Sequence, residues 1–292
     1  MNLLKALFGG AEESPEEKRK NDDAKRFDMF KFDGVKAARM GNFDYAVRCY
    51  EEALKIKDDL EVRDYLSQAF VSSDKLPEAI CQLKILAAAE PENINVWIQI
   101  ARVAYMAEDY DAMNDACAAA MELDSKNPHV HYLYAQAYIA AGNNINAVAM
   151  LTKAIALKPD MADACLLRGK TLLAMGDVGG ASDDADLLIK EYPESEDVLM
   201  FNARVASAQG KSDEAIQLYG RVTEVNPFCA DAYRERGRLK YGKGDMAGAS
   251  EDMQKVMEIT PGAVADISGE FSAEGVEHKV RKAYSNMNPL GL

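Results

Sequence analysis

Residues 128–161 read PHVHYLYAQAYIAAGNNINAVAMLTKAIALKPDM, and the fold is decided in this stretch. His131, Ala135 and Tyr138 recur at i, i+4 and i+7, which predicts a helix with one buried face. Ala147, Leu151, Ala154 and Ile155 predict a second helix by the same spacing. Gly142 lies between them, where a glycine can take the left-handed conformation that ends a helix. Pro159 closes the second run, because proline cannot continue a helix. Each run is about 12–14 residues, an ordinary helix length.

The same signals recur along the chain. Ala46, Ala79, Ala147, Ala181, Ala215 and Ala249 lie 33, 68, 34, 34 and 34 residues apart, and Met113 divides the doubled gap. Five residues earlier stand Gly41, Asp74, Glu108, Gly142, Gly176, Gly210 and Gly244. Twelve residues after the alanines stand Pro91, Pro159, Pro193, Pro227 and Pro261, with Asp58 and Ser125 in the two remaining places. Three columns in phase define seven units: 27–59, 60–93, 94–127, 128–161, 162–195, 196–229 and 230–263. No segment has the β-branched alternation of a strand. The expectation is an all-α chain of antiparallel helix pairs. The small alanine is expected to let the two helices approach closely, and Met113 to open the third unit slightly.

These residues resemble the tetratricopeptide repeat, a 34-residue unit with the pattern W-x-x-L-G-x-x-Y … A-x-x-x-F … P. The third unit opens Trp97-x-x-Ile100-Ala101. The fourth has Tyr134-Ala135-x-x-Tyr138, Ala147-x-x-x-Leu151 and Pro159. The sixth has Ala203, Ala206, Ala215, Tyr219 and Pro227, and the seventh Tyr233, Gly237, Ala249, Met253 and Pro261. The first has Phe30, Gly34, Ala46, Tyr50 and Ala53; the second, a weaker match, has Leu66, Phe70, Ala79, Leu83 and Pro91. The resemblance implies an α-α superhelix, a right-handed solenoid of helix pairs. Asp33, Arg168, Asn202 and Arg236 depart from it, standing where the pattern prefers leucine. The two arginines are expected to pack their stems and send their heads to water.

Composition narrows the function. The net charge is −14, so a nucleic-acid partner is not expected. Cys49, Cys81, Cys117, Cys165 and Cys229 form no C-x-x-C pair and read as small apolar residues in a reducing compartment. His129 and His131 are two apart on one helix and face different ways, so they are not a metal pair; His131 falls in the core column of Trp97 and Tyr233. His278 stands alone near the end of the chain. No phosphate loop, zinc-protease helix or nucleophile elbow is visible. The reading is a non-enzymatic protein without cofactor, metal or catalytic residues. No apolar run reaches membrane-spanning length, so a cytoplasmic location is expected.

The ends of the array are atypical. Residues 1–26 read as an apolar start and a charged segment, a flexible or solvated helical linker before Phe27. The start holds Leu3, Leu4, Leu7 and Phe8. An alternative reading makes residues 1–10 the tether of a peripheral membrane-associated assembly factor, with residues 1–8 touching the membrane. Residues 264–292 are expected to carry a capping helix from about Ala273 to Ser285, with Ser272 as its cap and Phe271 against Val276 as its staple.

In such solenoids the first helices line the concave face. Projected onto that geometry, one column reads Val35, Gln68, Arg102, Gln136, Lys170, Arg204 and Arg238, neutral or basic throughout. Three residues later stand Ala38, Val71, Tyr105, Ile139, Leu173, Ser207 and Tyr241. Four residues earlier stand Lys31, Asp64, Ile98, Tyr132, Leu166, Met200 and Arg234. Tyrosine and arginine dominate binding hot spots. The expected ligand is therefore a peptide or helix of a partner protein, with apolar anchors and acidic groups. The expected groove runs through units three to seven and comprises Ile98, Arg102, Tyr105, Tyr132, Gln136, Ile139, Leu166, Lys170, Leu173, Met200, Arg204, Arg234, Arg238 and Tyr241. The alternative is that these side chains only pack against second helices or each other. One subset of the family clamps the carboxylate of chaperone tails with lysine and asparagine four apart, asparagine in the next unit, and lysine and arginine in the third. Here Lys31 is followed by Val35, Tyr65, Asn95 and Gln99, so that clamp is absent.

Overall fold

The computed structural model describes residues 14–260, and among them every regular element is a helix. There are fourteen: α1 Pro15–Arg39, α2 Phe43–Ile56, α3 Leu60–Ser72, α4 Leu76–Ala89, α5 Ile94–Met106, α6 Tyr110–Leu123, α7 Pro128–Ala140, α8 Asn144–Leu157, α9 Ala162–Ala174, α10 Val178–Glu191, α11 Glu196–Ala208, α12 Ser212–Val225, α13 Ala230–Gly242 and α14 Met246–Ile259. The first helices of the second to seventh repeats begin at Leu60, Ile94, Pro128, Ala162, Glu196 and Ala230. The chain divides into two compact units, one up to Asn143 and one from Asn144 onward. In each, successive helices pack against one another. First helices of adjacent repeats also touch, as α1 with α3 and α5 with α7 in the first unit, and α9 with α11 in the second.

The turn inside each repeat carries the pattern. Gly41, Gly142, Gly176, Gly210 and Gly244 all have φ between +72° and +85°. Asp74 and Glu108, which replace glycine in that column, take φ of +59° and +55°. In the first turn, Gly41 N–H donates to Ala38 O and Asn42 N–H to Ala37 O, at 3.0 and 2.9 Å. This pair satisfies the last carbonyls of the helix. The second bond recurs as Lys75 to Phe70, Asp109 to Ala104, Asn143 to Tyr138, Asp177 to Leu172, Lys211 to Ala206 and Asp245 to Lys240. The residue after the left-handed position often opens the next helix: the side chains of Asn42, Asp109, Asp177 and Asp245 accept from the first amides of α2, α6, α10 and α14. One short turn thus ends one helix and caps the next.

The alanine column is fully buried in every repeat, as expected of a crossing point without bulk. Met113 is also fully buried, in a cluster whose other members include Ala101, Ala104 and Ala116.

Two expectations change. The charged segment before Phe27 takes the solvated helical form of its two expected forms, but that helix runs unbroken from Pro15 through the rest of α1, so residue 27 is no structural boundary. Its start is a capping box: Ser14 Oγ accepts from Glu17 N–H at 3.2 Å, and Glu17 Oε2 accepts from Ser14 N–H at 2.7 Å. The arginine heads do not reach for water. Arg168 pairs with Asp184, which is 1% exposed, through Nη2–Oδ1 of 2.5 Å and Nε–Oδ2 of 3.0 Å. Arg236 pairs with buried Asp252 at 2.6 and 3.0 Å, and Lys240 joins at 2.9 Å. Each arginine also donates to a threonine of the preceding second helix, Thr152 at 3.3 Å or Thr223 at 3.0 Å. The guanidinium turns inward because a forked donor meets a carboxylate bidentately where a leucine would have met an apolar wall. Asn202 instead donates to Val198 O in its own helix at 2.9 Å. The apolar start and the expected capping helix lie outside the described residues.

Two outcomes are expected in urea unfolding. Arg168→Ala leaves Asp184 buried and unpaired and costs about 3 kcal/mol, whereas Arg168→Met with Asp184→Leu recovers most of the loss. Glu108→Gly removes a left-handed side chain and gains about 1 kcal/mol, while Gly176→Ala loses a similar amount.

Candidate functional site

Positions i, i+4 and i+7 of a first helix share a face. On α5 that face carries Ile98, Arg102 and Tyr105, while Val96, Ile100 and Val103 are buried on the other side. On α7 it carries Tyr132, Gln136 and Ile139, all half-buried. In this first unit Arg102 is exposed and Tyr105 is 43% exposed, whereas Ile98 packs partly onto the core. The unit also contains stacked Tyr134 and Tyr138 rings, 4.8 Å apart and nearly parallel.

In the second unit the face carries Leu166, Lys170 and Leu173 on α9, Met200 and Arg204 on α11, and Arg234, Arg238 and Tyr241 on α13. Leu166 and Leu173 lean on a core cluster with Cys165 and Phe201, so they offer edges rather than whole side chains. Met200 is only 9% exposed and belongs to the core with Ala203 and Tyr219; it is not an accessible groove residue. Its side chain fills space between packed helices, which an apolar column cannot distinguish from a ligand surface. Tyr241 is half-buried beside Met253 and Val256.

Of the cations, Arg102 and Arg204 are exposed, whereas Lys170, Arg234 and Arg238 are half-buried and already paired. Lys170 Nζ lies 3.4 Å from Asp197 Oδ1 on α11. Arg234 pairs with Asp231, and Arg238 lies 3.7 Å from Glu235. Arg204 is exposed and faces the hydroxyl of buried Tyr219, partly offsetting the upward push that burial gives that phenol. The two partners three residues upstream were legible as helix neighbours. Asp197 lies on the next first helix, and only the packing brings it to Lys170.

Nothing in the described part resembles a reactive centre. Burial pushes the Cys117 and Cys165 thiols up to about 12, so both are protonated at neutral pH. The Cys165 thiol donates to Asp184 Oδ1 at 3.4 Å, inside the ion-pair cluster. His131 is buried, with Nε2 bonded to the Ser125 carbonyl at 2.9 Å. No group of three His, Cys, Asp or Glu among the described residues could hold a metal ion. No helix among them is long and apolar enough to cross a membrane.

Known proteins place this geometry in a family. The tetratricopeptide repeat family matches residues 202–264 and, in a second form, residues 128–161. A stretch of 141 residues is 30% identical to human DnaJ homolog subfamily C member 3, covering 48% of this chain and 24% of that protein. Bovine tetratricopeptide repeat protein 36 is 26% identical over 80 residues, 27% of this chain and 43% of that protein. The matches span less than half of these relatives' length. Among solved structures, a tetratricopeptide repeat protein from Parabacteroides merdae superposes with a TM-score of 0.67 at 14% identity, over 88% of this chain and 98% of its own. YrrB, described as a TPR protein with an unusual peptide-binding site, superposes with a TM-score of 0.54 at 18% identity, over 68% of this chain and 97% of its own. The register of left-handed turns, the buried alanine column and these likenesses agree: the chain is a tetratricopeptide repeat protein.

Proposed function

We propose that this chain is a non-enzymatic scaffold or adaptor whose first-helix faces hold a peptide or helix of a partner protein carrying acidic groups and apolar anchors. Tetratricopeptide repeat proteins generally mediate protein–protein interactions, and YrrB has a peptide-binding site by description. The observation that carries the reading is the exposure of Arg102 and Arg204 on these faces, in a chain of net charge −14. Exposed cations on the first-helix faces of an otherwise acidic protein steer acidic segments toward those faces. In the second unit the half-buried Leu166 and Leu173 supply apolar edges on the same face of α9 as Lys170. Met200 and the already paired Arg234 contribute less.

The double substitution Lys170→Glu with Arg204→Glu tests this reading. Partners recovered from lysate on immobilised protein, quantified by mass spectrometry, are expected to fall roughly tenfold for those bound through acidic segments, and wild-type binding to weaken with added salt. An unchanged partner profile from a folded double variant would sink the reading.

A further inference from the structure

A hollow of about 280 Å³ opens on the first-helix side of repeats one and two, outside the repeats where the cationic row runs. Val35, Ala38 and Tyr65 form apolar wall, and Arg39 and Ser72 also line it. Tyr50 lines it too and is 2% exposed. Its ring lies against Gly34, where a Cβ would come within 2.5 Å, and 5.9 Å from the Tyr65 ring. The Tyr50 hydroxyl makes no hydrogen bond to any described residue, and burial pushes its phenol up to about 12. A buried hydroxyl without a partner is destabilising and needs a physical explanation.

The sixth repeat supplies the comparison. Tyr219 occupies the same place in that repeat as Tyr50 in the first, and Arg204 the same place as Val35. There the arginine faces the phenol. In the first repeat the valine cannot, and both Val35 and Tyr50 line the open hollow. No aspartate or glutamate lines the hollow itself, although two lining side chains hold carboxylates, the Tyr65 hydroxyl donating to Glu61 at 2.6 Å and Gln68 to Asp64 at 2.8 Å; the one charged lining residue is Arg39.

We propose that this hollow is a socket for a glutamate side chain of a partner peptide. Its methylenes lie along Val35 and Ala38, the Tyr50 hydroxyl donates to the carboxylate, and Arg39 supplies the opposite charge at the rim. The inference rests on the reading of first-helix faces as ligand surfaces, but on the first unit alone. Its test therefore fails or succeeds apart from the Lys170 and Arg204 test, which alters the second unit.

The probe is a fluorescent, blocked pentapeptide, Leu-Ala-Glu-Ala-Leu, with congeners carrying glutamine or leucine at the centre, titrated into the full chain. The glutamate peptide is expected to bind saturably and roughly tenfold or more tighter than either congener. Tyr50→Phe keeps the ring and drops only the hydroxyl; Val35→Arg puts an arginine at the position that Arg204 holds beside the phenol in repeat six. Each is expected to weaken glutamate binding roughly tenfold, with helical circular dichroism retained. Equal binding of the three peptides, unchanged binding by Tyr50→Phe, or no saturable binding to the wild-type chain would each overturn the proposal. The hollow would then hold only water or an apolar plug.

Discussion

The close crossing of two helices at a point without bulk is the constraint on which the rest of the structure depends. Ala46, Ala79, Ala147, Ala181, Ala215 and Ala249 sit at that point with no exposed surface. Interiors are packed to crystal density, so extra methylenes at such a point force the backbone apart. Met113 takes the same place in the third repeat and is equally buried. The approach is set up by the turn before it. A left-handed residue reverses the chain, and in four repeats the next residue caps the second helix. Local backbone chemistry and core packing therefore prescribe the same helix pair, a consistency expected of a sequence that specifies one fold.

Repeats stacked in this way contact mainly their neighbours. Their differences therefore act locally. The buried Arg168–Asp184 and Arg236–Asp252 pairs replace an apolar contact in the fifth and seventh repeats, and each arginine reaches back to a threonine of the repeat before it. Such pairs add little net stability over apolar packing, but each partner is costly to lose alone. They make the angle between helices depend on a directional contact. The same reasoning separates the first repeat from the sixth, where one position, Val35 or Arg204, decides whether a buried phenol faces a cation or an open hollow.

The outer face of each first helix is assembled from what core packing leaves over. Residues four apart on a first helix share its outer face, but how far each projects depends on the neighbouring helix. Leu166, Leu173 and Met200 read as groove residues by spacing, yet they are drawn into the core to different depths. Charged side chains with long stems resist that pull, so Arg102 and Arg204 remain accessible.

The sequence by itself determined the repeat, its phase, the helix pairs and the left-handed turns. These follow from local rules: helical periodicity, glycine at positive φ and proline after a helix. It also showed which columns share a face. Tertiary structure alone decided that Arg168 and Arg236 turn inward, that Met200 is core, that Asp197 meets Lys170 and that the Tyr50 hydroxyl lacks a partner among the described residues. Each of these depends on residues from separate helices. A buried carboxylate sixteen residues away, or a missing arginine beside a phenol, leaves no periodic trace in the chain. Its meaning exists only once the helices are packed side by side.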